Sequence, residues 1–269
     1  MILKTVGLSE RMYLVAMAGI SMFLLYKVLG KYGTLPLIGV ADYIARFMMN
    51  RDCVQMRSSL CILLIIWGLK FVRDRKMWYY FAVILLAYQF HHMALIGLPF
   101  YFFCNFKFTN KQIYILLIFA FAFAAFGSGA ISGWAEANSE DLNYDTYVDE
   151  EYRRQDADLG LMNPMIYFQV IILLMFNTLE YKLKSHPYYY IFRNGYLYST
   201  LILIVFCQFT ALSGRTSTMF ATCEMFMLPM MVQTYPQEKR AKFFVILGLV
   251  FVYFFSSKMI ENLNGASWF

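Results

Sequence analysis

Apolar residues in this chain come in runs, at 11–30, 54–72, 77–104, 112–130, 162–180, 195–212, 216–235 and 243–257, with most charged residues gathered between them. About 20 consecutive apolar residues suffice to cross the hydrocarbon of a bilayer, so the runs predict membrane-spanning helices. The run 77–104 has no Asp, Glu, Lys or Arg, is too long for one ordinary span, and carries His91 and His92 near its middle. Polar side chains at that depth are costly and tend to mark a wet cavity, a helix end or a working site. Splitting the run at the histidines yields about nine spans, with the two short halves accommodated by tilt and local thinning.

Charge between the runs supports the split. With the N-terminus inside and the run divided, Arg73/Arg75/Lys76, Lys107/Lys111, Lys182/Lys184/Arg193 and Lys239/Arg240/Lys242 all face the cytoplasm, as short basic loops do. The acid-rich loop 131–161 then lies outside. So does segment 35–52, where Leu37, Val40, Ile44 and Phe47 recur at helical spacing with Asp42, Arg46, Arg51 and Asp52 between them. That pattern predicts an amphipathic helix lying in the membrane interface.

Composition fits this picture. Hydrophobic residues make up 60% of the chain and charged ones 15%, and the mean hydropathy is +0.53, more apolar surface than a water-soluble domain of this size can hide. The formal charge of +6 is dispersed in short clusters rather than a continuous stripe, which argues against nucleic acid. The five cysteines form no C-x-x-C and no Cys/His ligand spacing, so they read as buried packing residues. No cofactor or metal is expected. Asp156 and Asp158 form a D-x-D triplet, but so acidic a loop produces one by chance, and Gly129 with Gly133 reads as a loosened helix end. The chain has no P-loop, G-x-S-x-G or H-E-x-x-H.

Under this topology Arg57, His91, His92 and Arg215 fall at the outer ends of spans. Arginine presents a flat fork of donors suited to phosphate oxygens, and histidine moves protons near neutral pH. Together they suit a lipid-linked diphosphate. Singly, such an arginine reads equally well as a snorkelling residue, and such a histidine as a helix-to-helix hydrogen bonder.

The string Asp42-Tyr43-Ile44-Ala45-Arg46-Phe47-Met48, then Arg51-Asp52-Cys53-Val54-Gln55-Met56-Arg57-Ser58-Ser59-Leu60, a span, and the turn Arg73-Asp74-Arg75-Lys76 resemble the EpsG-like bacterial polysaccharide polymerases. So does the next span, ending Ala87-Tyr88-Gln89-Phe90-His91-His92-Met93-Ala94-Leu95-Ile96, in which His91 matches the family's histidine and His92 a variable position. Arg215, ahead of a span containing Leu228-Pro229, resembles a later family arginine. The resemblance implies an all-α, polytopic helical bundle like that of the C-type glycosyltransferases, and a Wzy-type polymerase of O-antigen, capsule or exopolysaccharide. It implies undecaprenyl-diphosphate-linked oligosaccharides as substrates, at the periplasmic or exterior face of the bacterial inner membrane. A flippase and a chain-length regulator would be its partners, besides membrane lipids.

On this reading Arg57 and Arg215 hold the donor diphosphate, and His91 acts as base toward the acceptor hydroxyl or orients it. Arg46, Arg51, His92, Arg153 and Arg154 contribute to substrate binding. The aromatic residues of the acidic loop are candidate stacking faces for sugar. Family members are usually longer at the start, so the chain is expected to resemble a shortened member. A lipid flippase and a membrane acyltransferase that decorates surface polysaccharide are the competing functions. The former should show charges paired at mid-span and repeat symmetry. The latter should alter acetylation without altering chain length.

Overall fold

A computed structural model describes residues 10–127 and 159–265, all in helices and connecting turns, without strands among them. These residues fall into two units. One comprises residues 10–105, 181–192 and 222–265, and the other 106–127, 159–180 and 193–221. The acidic loop with Arg153 and Arg154 lies outside the described residues.

The first unit begins with α1 (Glu10–Tyr32), followed by α2 (Pro36–Tyr43), which continues through a π turn, Ile44–Met48, and a closing turn, Met49–Arg51. Next come α3 (Met56–Trp67), α4 (Leu69–Arg73), α5 (Met77–Tyr88), a 3-10 turn (His92–Ile96) and α6 (Gly97–Asn105). Farther along the chain, α12 (Glu224–Gln233) and α13 (Gln237–Gly265) complete it. Residues 11–32 and 237–257 are each long and apolar enough to cross a membrane. Along α13 the apolar side chains point outward, Val245, Leu249 and Val252 each being more than 60% exposed. Water would penalise such a face, whereas lipid would solvate it. By contrast, Met225–Val232 of α12 is buried on every side, which makes α12 the central helix of the unit.

The expected break at the histidines is present, since α5 ends at Tyr88. His91 adopts an extended backbone, and its Nδ1 accepts from the Met93 amide at 3.2 Å, which caps a new turn. The chain then reverses. Tyr80 and Phe81 pack on Tyr101, with ring centroids 5.6 and 5.8 Å apart, so α5 and α6 form an antiparallel hairpin. Gly97 permits the close approach, because a β-carbon there would sit 2.5 Å from Cδ1 of Ile84.

Two expectations are corrected. The Tyr32 hydroxyl donates to the Trp67 carbonyl (2.8 Å) and accepts from the Lys70 amide (3.1 Å), so α1 ends level with the α3–α4 junction. Because α1 and α3 pack along their lengths, they run parallel. The span-by-span alternation expected from sequence makes them antiparallel.

The cause lies in segment 35–52, which is not an interfacial helix. It packs against α12, with Gly39, Asp42, Tyr43, Ala45, Phe47 and Arg51 buried. It runs about 24 Å from Thr34, whose carbonyl accepts from Gln233, to Arg51, which donates to Thr222. It therefore connects opposite ends of the unit. Lys31, Lys70 and Arg73 interact at one end, where Lys182 also donates to the Thr234 carbonyl.

In the second unit, α7 (Asn110–Phe126) opens on a capping box. Thr109 Oγ1 accepts from the Gln112 amide, and Gln112 Oε1 accepts from the Thr109 amide at 2.8 Å. Helix α8 (Pro164–Thr178) starts with Asn163 as cap and Pro164 in its first turn. The short α9 (Glu180–Leu183) and then α10 (Tyr189–Val205) straddle the division between units, and α11 (Thr210–Ala221) follows within the second unit.

Arg193, expected among the cytoplasmic loop charges, is fully buried in α10. It donates to the Phe108 carbonyl at 2.8 Å and to Asn177 at 3.3 Å, and lies 3.7 Å from Glu180. It anchors the turn before α7 rather than reporting orientation. A second internal network joins α8 to α10 and α11: Ser199 donates to the Ser217 carbonyl at 2.7 Å, and the Ser199 and Thr200 hydroxyls lie 3.2 and 3.3 Å from Gln169 Oε1.

Candidate functional site

Arg57 stands in the first turn of α3 with its side chain exposed. The positive end of a helix dipole lies there, so a cation in that turn does not serve helix stability. One helical turn along α3, the Cys61 thiol approaches the His91 carbonyl at 3.9 Å. Since Gly68, farther down α3–α4, faces Val83 and Tyr80 of α5, the two segments run antiparallel. Arg57, His91 and His92 thus collect at one end of the α3–α5 pair, and the cluster of Lys31, Lys70 and Arg73 marks the other.

The histidine rings stack, with centroids 4.6 Å apart and planes at 26°. His92 is exposed and His91 half-buried. Accepting the Met93 amide occupies the lone pair of His91 Nδ1. The neutral ring must therefore carry its proton on Nε2, which makes Nε2–H a hydrogen-bond donor. In this tautomer His91 can donate to an anionic oxygen or orient a hydroxyl, and it has no free ring lone pair with which to act as a base.

Beside these residues, Asp52 is held by two neutral donors, the Tyr43 hydroxyl at 2.8 Å and the Ser59 hydroxyl at 2.5 Å. Its pairing ties the end of the α2 segment to the start of α3.

Arg46 and Arg51 have internal partners. The Arg46 side chain is 4% exposed and lies 3.4 Å from Glu224, with its guanidinium 5.1 Å from the Phe254 ring centre. Arg51 donates to Thr222 Oγ1 at 2.6 Å and covers the Phe47 ring at 4.2 Å. Both were expected to bind substrate. Their burial against Glu224, Thr222 and Phe47 makes them internal supports of the α2–α12 contact.

Arg215 lies on α11 in the second unit, half-buried, with its carbonyl accepting from Thr218 Oγ1 at 3.0 Å.

Asp42, Asp52, Ser59, Thr222 and Glu224 are not among the residues that the sequence marks as site components. Glu224 had a legible signal, since it is the one acid within the apolar run 216–235, and an ionisable residue inside a span merits functional weight. Ser59 and Thr222 carried none, because hydroxyls are unexceptional in membrane helices. Among the described residues no group of three or more His, Cys, Asp or Glu is placed to hold a metal ion.

The sequence model of the EpsG family matches residues 1–269. No curated protein and no solved structure matches the chain.

Proposed function

From the premise that the chain belongs to the EpsG family and is a membrane protein, we propose that it polymerises polysaccharide from lipid-linked repeat units. The donor is an oligosaccharide on undecaprenyl diphosphate, and the acceptor is the terminal sugar hydroxyl of another such unit. The observation that carries this reading is the convergence of Arg57, His91 and His92 at one end of the α3–α5 pair, opposite the Lys31–Lys70–Arg73 cluster. Basic clusters favour the cytoplasmic side, so the Arg57 end is assigned to the outer face of the inner membrane.

In the reaction, the sugar–oxygen bond to the diphosphate breaks and its electron pair stays on the diphosphate. The acceptor oxygen bonds to the sugar carbon, and the hydroxyl proton passes to the departing diphosphate or to water. Arg57 stabilises the growing negative charge, and Arg215 is a further cation assigned to substrate. His91, through Nε2–H, donates to a diphosphate oxygen or fixes the acceptor hydroxyl. Fixed charges and donors at a developing anion commonly supply the largest part of catalysis, and removing one costs about 10²–10³-fold in rate. The multi-span, C-type glycosyltransferase architecture belongs to the same proposal, as do Arg153, Arg154 and His92 as substrate contacts and a flippase and chain-length regulator as partners.

The test is polymer length. In cells lacking the native gene, a plasmid copy bearing Arg57→Ala should leave the ladder of surface polysaccharide at one repeat unit, with protein level and membrane insertion unchanged. Full-length ladders from that variant would refute the assignment of Arg57. Accumulation of lipid-linked units on the cytoplasmic side would point to a flippase instead.

A further inference from the structure

Five ionisable side chains meet where the π turn of the α2 segment reaches α12. Asp42 and Glu224 are wholly inaccessible, and Arg51 is 4% exposed. Arg46 lies on Glu224, and Asp52 closes the segment. The π turn absorbs an extra residue, which keeps Asp42, Arg46 and Arg51 directed to the same side despite their spacings of four and five.

Asp52 is only half-buried, so the buried set is Asp42 and Glu224 against Arg46 and Arg51. A buried, uncompensated charge is among the costliest features a protein interior can hold. Asp52 is satisfied by hydroxyl donors from Tyr43 and Ser59. Arg51 is satisfied by Thr222 and the Phe47 ring, and Arg46 pairs with Glu224.

Asp42 is the exception. Both its carboxyl oxygens are buried and accept no hydrogen bond from the described residues, while Arg46, one turn on, lies 3.4 Å from Glu224 and Gly39, one turn back, abuts Met225, which sets the Asp42 carboxyl against Glu224. Two carboxylates are both acceptors and cannot bond to one another. A carboxylic acid and a carboxylate can. We propose that Asp42 and Glu224 share one proton and form a buried proton-binding site that joins α2 to α12, with Arg46 as its counter-charge.

One shared proton supplies the donor that Asp42 lacks. Charged groups that face Asp42 are Glu224 from α12 together with Arg46 and Arg51 from its own segment, while α13 contributes the Phe254 ring over Arg46. Loss of the proton sets two carboxylates against each other across a contact where helices approach so closely that a β-carbon on Gly39 would lie 2.6 Å from the Met225 carbonyl oxygen. Deprotonation therefore loosens α2 from α12. The site does not depend on the polymerase assignment.

Infrared difference spectroscopy of the full chain in nanodiscs tests this directly. The wild type at neutral pH should show the carbonyl band of a protonated carboxylic acid, shifted by exchange into D2O. Asp42→Asn and Glu224→Gln should each abolish it. Asp42→Asn supplies an amide donor to Glu224 with the same net charge as the protonated pair, so it should retain wild-type thermal stability at neutral pH. It should also lose the destabilisation that the wild type shows on raising the pH. Absence of an acid band in the wild type overturns the proposal, as does its survival in both amide variants. The infrared measurement on the wild type stands even where a variant fails to fold.

Discussion

Tyr32 bridges the two backbone groups on either side of Gly68, donating to the Trp67 carbonyl and accepting from the Lys70 amide. Helix α3 ends at Trp67 and α4 begins at Leu69, so the hydroxyl fills the gap in the backbone ladder at that junction. Around it, Tyr188, Phe192 and Phe226 pack edge-on against the Tyr32 ring at centroid distances of 4.8 to 6.2 Å. Tyr32→Phe keeps the ring packing and removes only the hydroxyl. The expected cost is about 1–3 kcal/mol, the penalty for leaving buried polar groups unpaired. Thermal unfolding in detergent measures it, and an unchanged midpoint would show that water replaces the hydroxyl.

The same contact sets the direction of α1, and side-specific labelling checks the result. Cys53 is exposed, whereas Cys61, Cys104, Cys207 and Cys223 are buried. A membrane-impermeant maleimide should therefore label the native chain at Cys53, and Cys53→Ser should abolish most of the signal. In the Cys53→Ser background, Arg57→Cys should be labelled from the same side as Cys53, and Thr34→Cys and Arg75→Cys from the opposite side. Labelling of residues 34 and 57 from one face would restore the interfacial assignment of segment 35–52.

Part of this arrangement was readable from the chain alone. The break after Tyr88 follows from a histidine pair that an uninterrupted apolar helix would have to bury. The all-helical class follows from the apolar runs. The crossing of residues 36–51 was not readable in this way, because Asp42, Arg46 and Arg51 at helical spacing look identical whether they face headgroups or each other. Their inward direction depends on Glu224 and Thr222, which lie far away in sequence and supply the compensating groups. The parallel course of α1 and α3 likewise rests on a tyrosine and an amide 38 residues apart. Arg193 shows the same limit, since a buried anchor and a loop charge are the same letter until Phe108, Asn177 and Glu180 surround it.

His91 has a structural role at Nδ1 and a proposed chemical one at Nε2, and the two can be separated. His91→Asn presents a side-chain oxygen that can take over the Met93 amide, as asparagine does in caps and turns. It removes the ring N–H. This variant should insert and fold as the wild type does, while polymer formation falls by about 10²–10³-fold, the usual loss for one donor to a developing anion. His91→Ala should lose both the cap and the activity. Equal stability of the two variants would mean that the Nδ1 contact contributes little, and normal ladders from His91→Asn would remove the histidine from the mechanism.

The loop before α10 carries a second histidine whose protonation is legible. His186 Nδ1 accepts from the Tyr188 amide at 3.3 Å, and partial burial pulls its pKa below the ordinary value. Both effects favour the neutral ring. In the window between the lowered folded value and the unfolded value of about 6.5, the unfolded chain binds more protons than the folded one. Stability is therefore fully present above about 6.5 and is lost as the pH falls toward the folded value. Thermal midpoints measured from neutral to mildly acidic pH should decline, and His186→Asn, which can accept the same amide without titrating, should flatten that decline. A slope identical in the variant and the wild type would assign the acid sensitivity to other groups.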